Sequence, residues 1–417
     1  MQILLTKPAG SLTIVGSGIE SISQITLQAL SHIEAASKVF YCVVDPATEA
    51  FIFAKNKNCV DLYQYYDNDK PRMDTYTQMA EVMLKEVRNG LTVVGVFYGH
   101  PGVFVNPSHR ALAIAESEGY KARMLPGISA EDCLFADLHI DPSHPGCVTY
   151  EASDFLIRER PVNIHSHFVL WQVGCVGVSD FNFSGFNNTK FGVLVDRLEK
   201  EYGADHPVVH YIAAVLPYED PVTDKLTIGQ LHDPRVAKQV TGISTFYIPP
   251  KETKCVNVDM MRRLDLLSHG IPIKQLSFFP SNKWAPANSV PDVVAYGPAD
   301  QAAVVKLNTH KVPEQYPALA TSKAMTDIMT KLALDPRILT EYKADTQAFV
   351  HSVPDLTLVE KKALELGNLG AIRCAMKNLP LPPVDMNPAT PTGFPVVAVI
   401  VWPVVAVAVN DMTRIGN

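Results

Sequence analysis

Within "DLYQYYDNDKPRMDTYTQM", residues 61–79, Arg72 and Tyr76 stand four apart, with Tyr63 and Tyr66 just upstream. The run that follows places Met79, Val82, Met83 and Val87 on one stripe and Gly90 at its end, the pattern of an amphipathic helix. If that helix starts by Pro71, the guanidinium and the phenol lie one above the other on its first turn. A free phenol, with a pKa of about 10, is a poor base at neutral pH, but an adjacent guanidinium favours the phenolate and lowers that value. The pair can therefore accept a proton. It also fits a solvated arginine stacked on a half-buried tyrosine, because i,i+4 pairs are common on helix surfaces. Tyr63 and Tyr66 are open to two readings as well: loop packing, or phenols in a site.

Three glycine turns could hold a ligand for such chemistry. "LTIVGSGIES" puts Gly16 and Gly18 between an apolar strand and the helical pattern "ISQITLQAL", where backbone can approach a ligand closely. Ser21 replaces the third glycine of a dinucleotide fingerprint. "VVGVFYGHPGVF" runs a buried strand into a rigid turn from Tyr98 to Phe104, at the carboxyl end of a strand, where open α/β sheets bind ligands. "MLPGISAED" repeats the theme at Pro126 to Asp132. Either turn alone could be punctuation, but two in one domain favour a site.

The elements that must position these residues follow from patterning. Up to about Pro250, short apolar runs such as "KVFYCVV" and "VVHYIAAV" alternate with amphipathic stretches, which predicts an α/β domain with a largely parallel sheet over residues 1–251. "TSKAMTDIMTKLALD" and "LTLVEKKALELGNLGAIRCAMKN" carry helical spacing, so 252–378 reads as a smaller, mostly helical domain. The prolines of "LPLPPVDMNPATPT" favour an extended tether over 379–393. Beyond it, in 394–417, lies "VVAVIVWPVVAVAV", with no charged side chain from Val396 to Val409. This run is shorter than the roughly 20 residues of a spanning helix, and Pro403 interrupts it, so no membrane is expected. Left free it would be an aggregation hazard; something should cover it.

Composition narrows the class. The chain has 417 residues, 47% hydrophobic and 19% charged, enough for two or three domains with real cores. A net charge of -7, without a Lys/Arg cluster, argues against nucleic acid as a partner. Seven cysteines without a CxxC pair and thirteen histidines without ligand spacing predict neither a disulfide framework nor a metal site. The start of the chain lacks the apolar core and cleavage site of a secretory signal, and a cytoplasmic location is expected.

The order "GSGIES…YGHPGVF…PGISA" resembles the tetrapyrrole (corrin/porphyrin) methylase superfamily, whose S-adenosyl-L-methionine site has a GDP turn and a PGxSA loop; His100 stands where that superfamily usually has Asp. From about Ser11 to the GFP before the apolar run, the chain is more closely similar to the fungal borosin precursors of the omphalotin type, in which an α-N-methyltransferase is fused to the peptide that it methylates. The resemblance implies an α/β, tetrapyrrole-methylase-like domain, a helical clasp domain and an extended substrate tail. It implies Arg72, Tyr76, Tyr66, Tyr63 and Tyr98 as catalytic residues. It also implies a cofactor site of Tyr98, His100, Val103 and Phe104, then Ser129 and Ala130, and by alignment Gln172, Ala213, Ser244 and Thr245. S-adenosyl-L-homocysteine would be the product.

The modified residues would be Val396, Val397, Ala398, Val399, Ile400, Val401 and Trp402, then Val404, Val405, Ala406, Val407, Ala408 and Val409. Methylating a backbone amide requires loss of its proton and stabilisation of the charge that builds on oxygen, needs that a tyrosinate base with phenol and guanidinium donors would meet. The family further implies a homodimer with each tail in its partner's active site, and a downstream peptidase and macrocyclase. Two other readings compete. A tetrapyrrole or corrinoid methyltransferase with an incidental hydrophobic tail would leave the valine run unexplained. A β-adhesive assembly module predicts fibres and no cofactor binding.

Overall fold

The computed structural model describes residues 10–264 and 319–381, apart from 69, 144, 183–187, 253, 255 and 256, together with 304, 305, 309 and 311. The tether from 382 onward and the run Val396–Val409 lie outside the described residues. Two compact units emerge, one holding residues 10–25 and 37–264, the other residues 26–36 and the described residues from 304 on.

In the first unit, β1 (Ser11–Gly16), β2 (Lys38–Cys42), β3 (Cys59–Asp61), β4 (Thr92–Phe97) and β5 (Lys121–Met124) form a parallel sheet in the order β3-β2-β4-β1-β5. β1 and β4 are buried almost throughout, as their largely uncharged, apolar sequences require in a sheet covered on both faces. The helices of the amino-terminal half are α1 (Leu27–Ala35), α2 (Pro46–Lys55), α3 (Arg72–Arg88), α4 (Asn106–Ser117) and α5 (Ala130–Leu138). Met79, Met83 and Val87 of α3 and Ala111 and Ala115 of α4 pack against Leu12, Ile14 and Val93.

The second sheet joins β6 (Cys147–Glu151), β7 (His167–Trp171), β8 (Pro207–Ile212), β9 (Val222–Thr227) and β10 (Thr245–Ile248) in the order β6-β7-β10-β8-β9. Only β6 and β7 run parallel. The expectation of a largely parallel sheet therefore holds for the first half and fails for the second. The connection 213–221 between β8 and β9 is too short for the dozen or more residues of a parallel crossover, so that pair is antiparallel. α5 covers this sheet with Leu134 and Leu138, set against Val169, Tyr211 and Tyr247.

The helical pattern read straight after Gly18 begins later, at Leu27. Residues 19–26 form turns instead, and the Gln24 side-chain oxygen accepts the N–H groups of Ile19 at 2.8 Å and Glu20 at 3.1 Å. α1 itself packs in the second unit, on helices Lys323–Leu334 and Pro336–Ala344. That unit continues through Thr346–Ser352, Leu358–Leu366 and Leu369–Met376, around a core of Met325, Ile328, Val350, Leu356 and Leu364. The long periodic run "LTLVEKKALELGNLGAIRCAMKN" breaks in two at Gly367, which takes φ +61° after the first helix, while Asn368 caps the second. Among the described residues no helix is long and apolar enough to cross a membrane.

Candidate active site

β4, β1 and β5 are neighbours, so the loops leaving their carboxyl ends meet. The backbone crowds there: a Cβ on Gly16 would stand 2.1 Å from the Gly99 carbonyl oxygen, and Gly18 bridges to Gly99 with both at positive φ. Only glycine permits that approach. In the second sheet, β10 runs antiparallel between β7 and β8, so its start lies at the same edge as their ends. Gln172, Ala213 and Thr245 are thereby drawn together from distant parts of the chain. The two edges enclose a cavity of about 350 Å³, within the size range of small-molecule sites.

Tyr98, His100, Val103 and Phe104 all line this cavity. The Gly102 N–H donates to His100 Nδ1 at 3.0 Å, which leaves Nε2 as the ring position that can donate. Burial pushes the Tyr98 phenol up to about 12. Phe104 and Gln172 are non-glycine residues held in the left-handed region, at φ +56° and +57°, the kind of strain that concentrates at functional sites. Ser129 caps α5 through a reciprocal pair with Asp132 and, with Ala130, faces the cavity. Ala213 and Thr245 line it too.

Ser244 does not. Its side chain is fully buried; its Oγ accepts the Thr241 N–H at 2.8 Å and bonds His210 Nε2 at 2.8 Å, while His210 Nδ1 meets Asp224 at 3.1 Å. These bonds fix the loop whose Gly242 and Ile243 form cavity wall. The residues present fit an adenosyl cofactor. Val103, Phe104 and Ile243 leave 38%, 52% and 64% of their surface uncovered beside the cavity, an apolar face for a flat ring system, among polar groups on Ser129, Gln172 and Thr245. Glu131, which the sequence reading passed over, also lines the cavity; burial first and Asp132 second raise its pKa. The signal available was its place directly after Ser129 and Ala130 in "PGISAED". Met79, one turn beyond Tyr76, and Trp171, ahead of Gln172, were missed in the same way.

The proton-handling side chains come from α3 and the turn before it. α3 starts at Arg72 after Pro71, so Arg72 and Tyr76 share its first turn as the spacing requires. The turn Tyr63–Tyr65 is anchored by fully buried Leu62 and by Lys70 Nζ and Thr75 Oγ1, which donate to the Tyr65 carbonyl at 2.5 and 3.3 Å. Tyr66 and Tyr76 both line the cavity, their rings perpendicular at 6.5 Å and their side chains hydrogen-bonded to each other. Burial, followed by the neighbouring Tyr76, drives the Tyr66 phenol far above its ordinary value, with Arg72 opposing in part. Tyr66 thus keeps its proton and is equipped to donate it in a hydrogen bond. Arg72 and Tyr63 stand outside the cavity wall. Arg72 is half-buried behind it, hydrogen-bonded to the Cys175 thiol; Tyr63 is 43% exposed, its ring 5.2 Å from Tyr66.

Residues 11–226, which carry both sheets as far as β9, match the Tetrapyrrole (Corrin/Porphyrin) Methylases, and this part of the chain is a methyltransferase of that class. Residues 295–406 match the borosin biosynthesis clasp domain. The chain is 71% identical over 427 aligned residues to a methyltransferase/ribosomally synthesized cyclic peptide gymnopeptides precursor of Gymnopus fusipes, covering 100% of both chains. It is 69% identical to the omphalotin A precursor of Omphalotus olearius, over 96% of this chain and 97% of that one. It is 70% identical to the dendrothelin A precursor of Dendrothele bispora, over 94% and 95%. The chain belongs to this borosin family of methyltransferase/ribosomally synthesized cyclic peptide precursors.

Proposed function

We propose that the chain is an S-adenosyl-L-methionine-dependent N-methyltransferase that methylates backbone amides in its own carboxyl-terminal segment, Val396–Val409, as the precursor of an N-methylated macrocyclic peptide. One observation carries this reading: the hydrogen-bonded Tyr66–Tyr76 pair, with Arg72 behind it, opens into the same cavity as the glycine loops of a methyltransferase domain. Bound in that cavity, the cofactor supplies an electrophilic methyl group. Val103, Phe104 and Ile243 offer its rings an apolar face, and His100, Ser129, Ala130, Gln172, Ala213 and Thr245 supply the remaining wall. Ser244 serves by holding the 241–245 loop.

An amide nitrogen is a weak nucleophile because its lone pair is delocalised into the carbonyl. Acting as the tyrosinate, Tyr76 takes the amide proton and becomes a phenol, with the Arg72 guanidinium one turn away on α3. As Tyr76 gains the amide proton, the single O–H of Tyr66, kept protonated by burial, turns from Tyr76 to the carbonyl oxygen on which charge accumulates, and the Arg72 charge stabilises the resulting anion. Tyr98 closes the wall between the two halves of the reaction, and Tyr63 braces Tyr66. A valine- and alanine-rich peptide entering extended can satisfy its backbone by strand-like pairing while its side chains fill apolar pockets.

A homodimer with each tail in the partner's cavity meets the requirement that a tethered substrate reach the site. A peptidase and macrocyclase then release and close the peptide, and the enzyme works in the cytoplasm. The test is to express a Tyr76→Phe chain with an intact tail alongside an active chain truncated after residue 393. Methyl groups on the tail of the inactive chain support both activity and exchange. Strictly unmethylated tails in verified mixed dimers count against exchange, and absence of methylation in the wild-type chain counts against the activity.

A further inference from the structure

The reacting side chains sit on α3 and the turn before it, yet much of what fixes them comes from the other sheet. The segment 173–182, which follows β7, returns to the start of α3. The Arg72 N–H donates to the Ser179 carbonyl at 3.4 Å, the Phe181 N–H donates to the Lys70 carbonyl at 3.2 Å, and Pro71 and Asp180 pair as an antiparallel bridge. Side chains follow the same path. The buried Cys175 sulfur accepts a hydrogen bond from the Arg72 guanidinium, while its S–H donates to the Gly242 carbonyl at 3.9 Å. Phe181 lays its ring on Tyr66, centroids 4.3 Å apart at 31°, and meets Tyr63 edge-on at 6.0 Å and 86°. Neither Cys175 nor Phe181 lines the cavity.

We infer that Cys175 and Phe181 are positioning residues for methyl transfer. They form a strap from the second sheet that holds Arg72 and Tyr66, and through Tyr66 the proton-accepting Tyr76, in productive geometry. The inference rests on the reading of Arg72, Tyr66 and Tyr76 as catalytic. Its physical basis is the steep dependence of rate on placement. A phenol turns about only two side-chain torsions, so a flat ring stacked on one face fixes where its oxygen lies. A displacement of about 1 Å can cost about 10²-fold in rate. An aliphatic side chain fills the same space without dictating the orientation of the ring. The Cys175 sulfur likewise fixes one direction of approach for the guanidinium that a hydrocarbon cannot.

The experiment uses the full chain with its own tail. Single-turnover appearance of methyl groups is followed by intact mass, S-adenosyl-L-homocysteine affinity by calorimetry, and the modified positions by fragment ions. Phe181→Leu should slow every methylation by about 10–100-fold, leave the affinity within about twofold and leave the pattern of modified positions unchanged. Phe181→Tyr, which restores the flat ring, should recover most of the rate. Cys175→Val should give the same separation of rate from affinity, and it tests the strap even if Phe181→Leu folds poorly. Wild-type rates in both Phe181→Leu and Cys175→Val would overturn the inference. So would a parallel loss of affinity, which would mark a general structural role, or a shift in the modified positions, which would place Phe181 on the substrate. Tyr76→Phe is run alongside: normal methylation there sinks the catalytic reading itself, a failure distinct from that of the strap.

Discussion

Replacing Tyr76 with phenylalanine removes one oxygen and leaves a ring of nearly the same shape on α3, still able to pack edge-on to Tyr66. The stability cost is the lost hydrogen bond to Tyr66, on the order of 1 kcal/mol, small against the roughly 5–15 kcal/mol that separates folded from unfolded chains. Fold and cofactor cavity should survive. The kinetic cost is far larger. A positioned base contributes about 10²–10⁴-fold, which at about 1.4 kcal/mol per tenfold corresponds to roughly 3–5 kcal/mol of barrier. The assay pairs an intact-mass time course of the tail in a single turnover with calorimetry of S-adenosyl-L-homocysteine. The expected outcome is a methylation rate lowered by at least about a hundredfold at unchanged affinity. A variant that methylates at close to the wild-type rate would refute the assignment of Tyr76 as base. A variant that has lost cofactor affinity would show that the hydroxyl shapes the cavity instead of serving the reaction.

Arg72→Lys should be severely impaired in the same assay, because an ammonium does not reproduce the planar fork of donors that reaches Cys175 while holding its positive charge beside Tyr66. Gly16→Ala should abolish cofactor binding or soluble expression, since the new methyl group would stand 2.1 Å from a backbone oxygen that cannot move without opening the loops; calorimetry and soluble yield decide. The protein should lose stability at alkaline pH. Burial pushes Cys42 and Cys147 from 9.0 up to about 12 and Tyr98 from 10.0 up to about 12. Groups raised in the folded state contribute fully below their unfolded values. That contribution is lost as pH climbs from about 9 through about 12, because the unfolded chain ionises first. Denaturant midpoints measured at pH 8, 9.5 and 11 should fall in that order, and a flat profile would contradict the burial of these groups.

Periodicity and punctuation carried much of the fold. The stripe of Met79, Met83 and Val87 with Gly90 after it gave α3 almost to the residue, and with it the placement of Arg72 and Tyr76 on its first turn. Glycine spacing marked the three loops of the parallel sheet, and at Gly16 and Gly18 crowding leaves no alternative. The second sheet was harder to read. β-strand patterning says nothing about direction, and the position of β10 between β7 and β8 is a long-range fact with no local sign. For that reason Gln172, Ala213 and Thr245 came only through family resemblance. Ser244 came the same way, though its side chain turns inward to His210. The helix α1 reads locally as part of the first domain, yet it packs with helices some three hundred residues downstream. Phe181 and Cys175 carry no motif at all, and only the return of their segment to α3 gives them meaning.

Fragment-ion mapping of the carboxyl-terminal peptide shows most directly whether this chain methylates its own backbone. Methyl groups are expected on amide nitrogens within Val396–Val409 and none on Pro403, whose ring nitrogen has no proton to lose. Methyl groups on side chains, methyl groups only outside residues 394–412, or an unmodified tail in a chain that binds the cofactor would contradict that expectation.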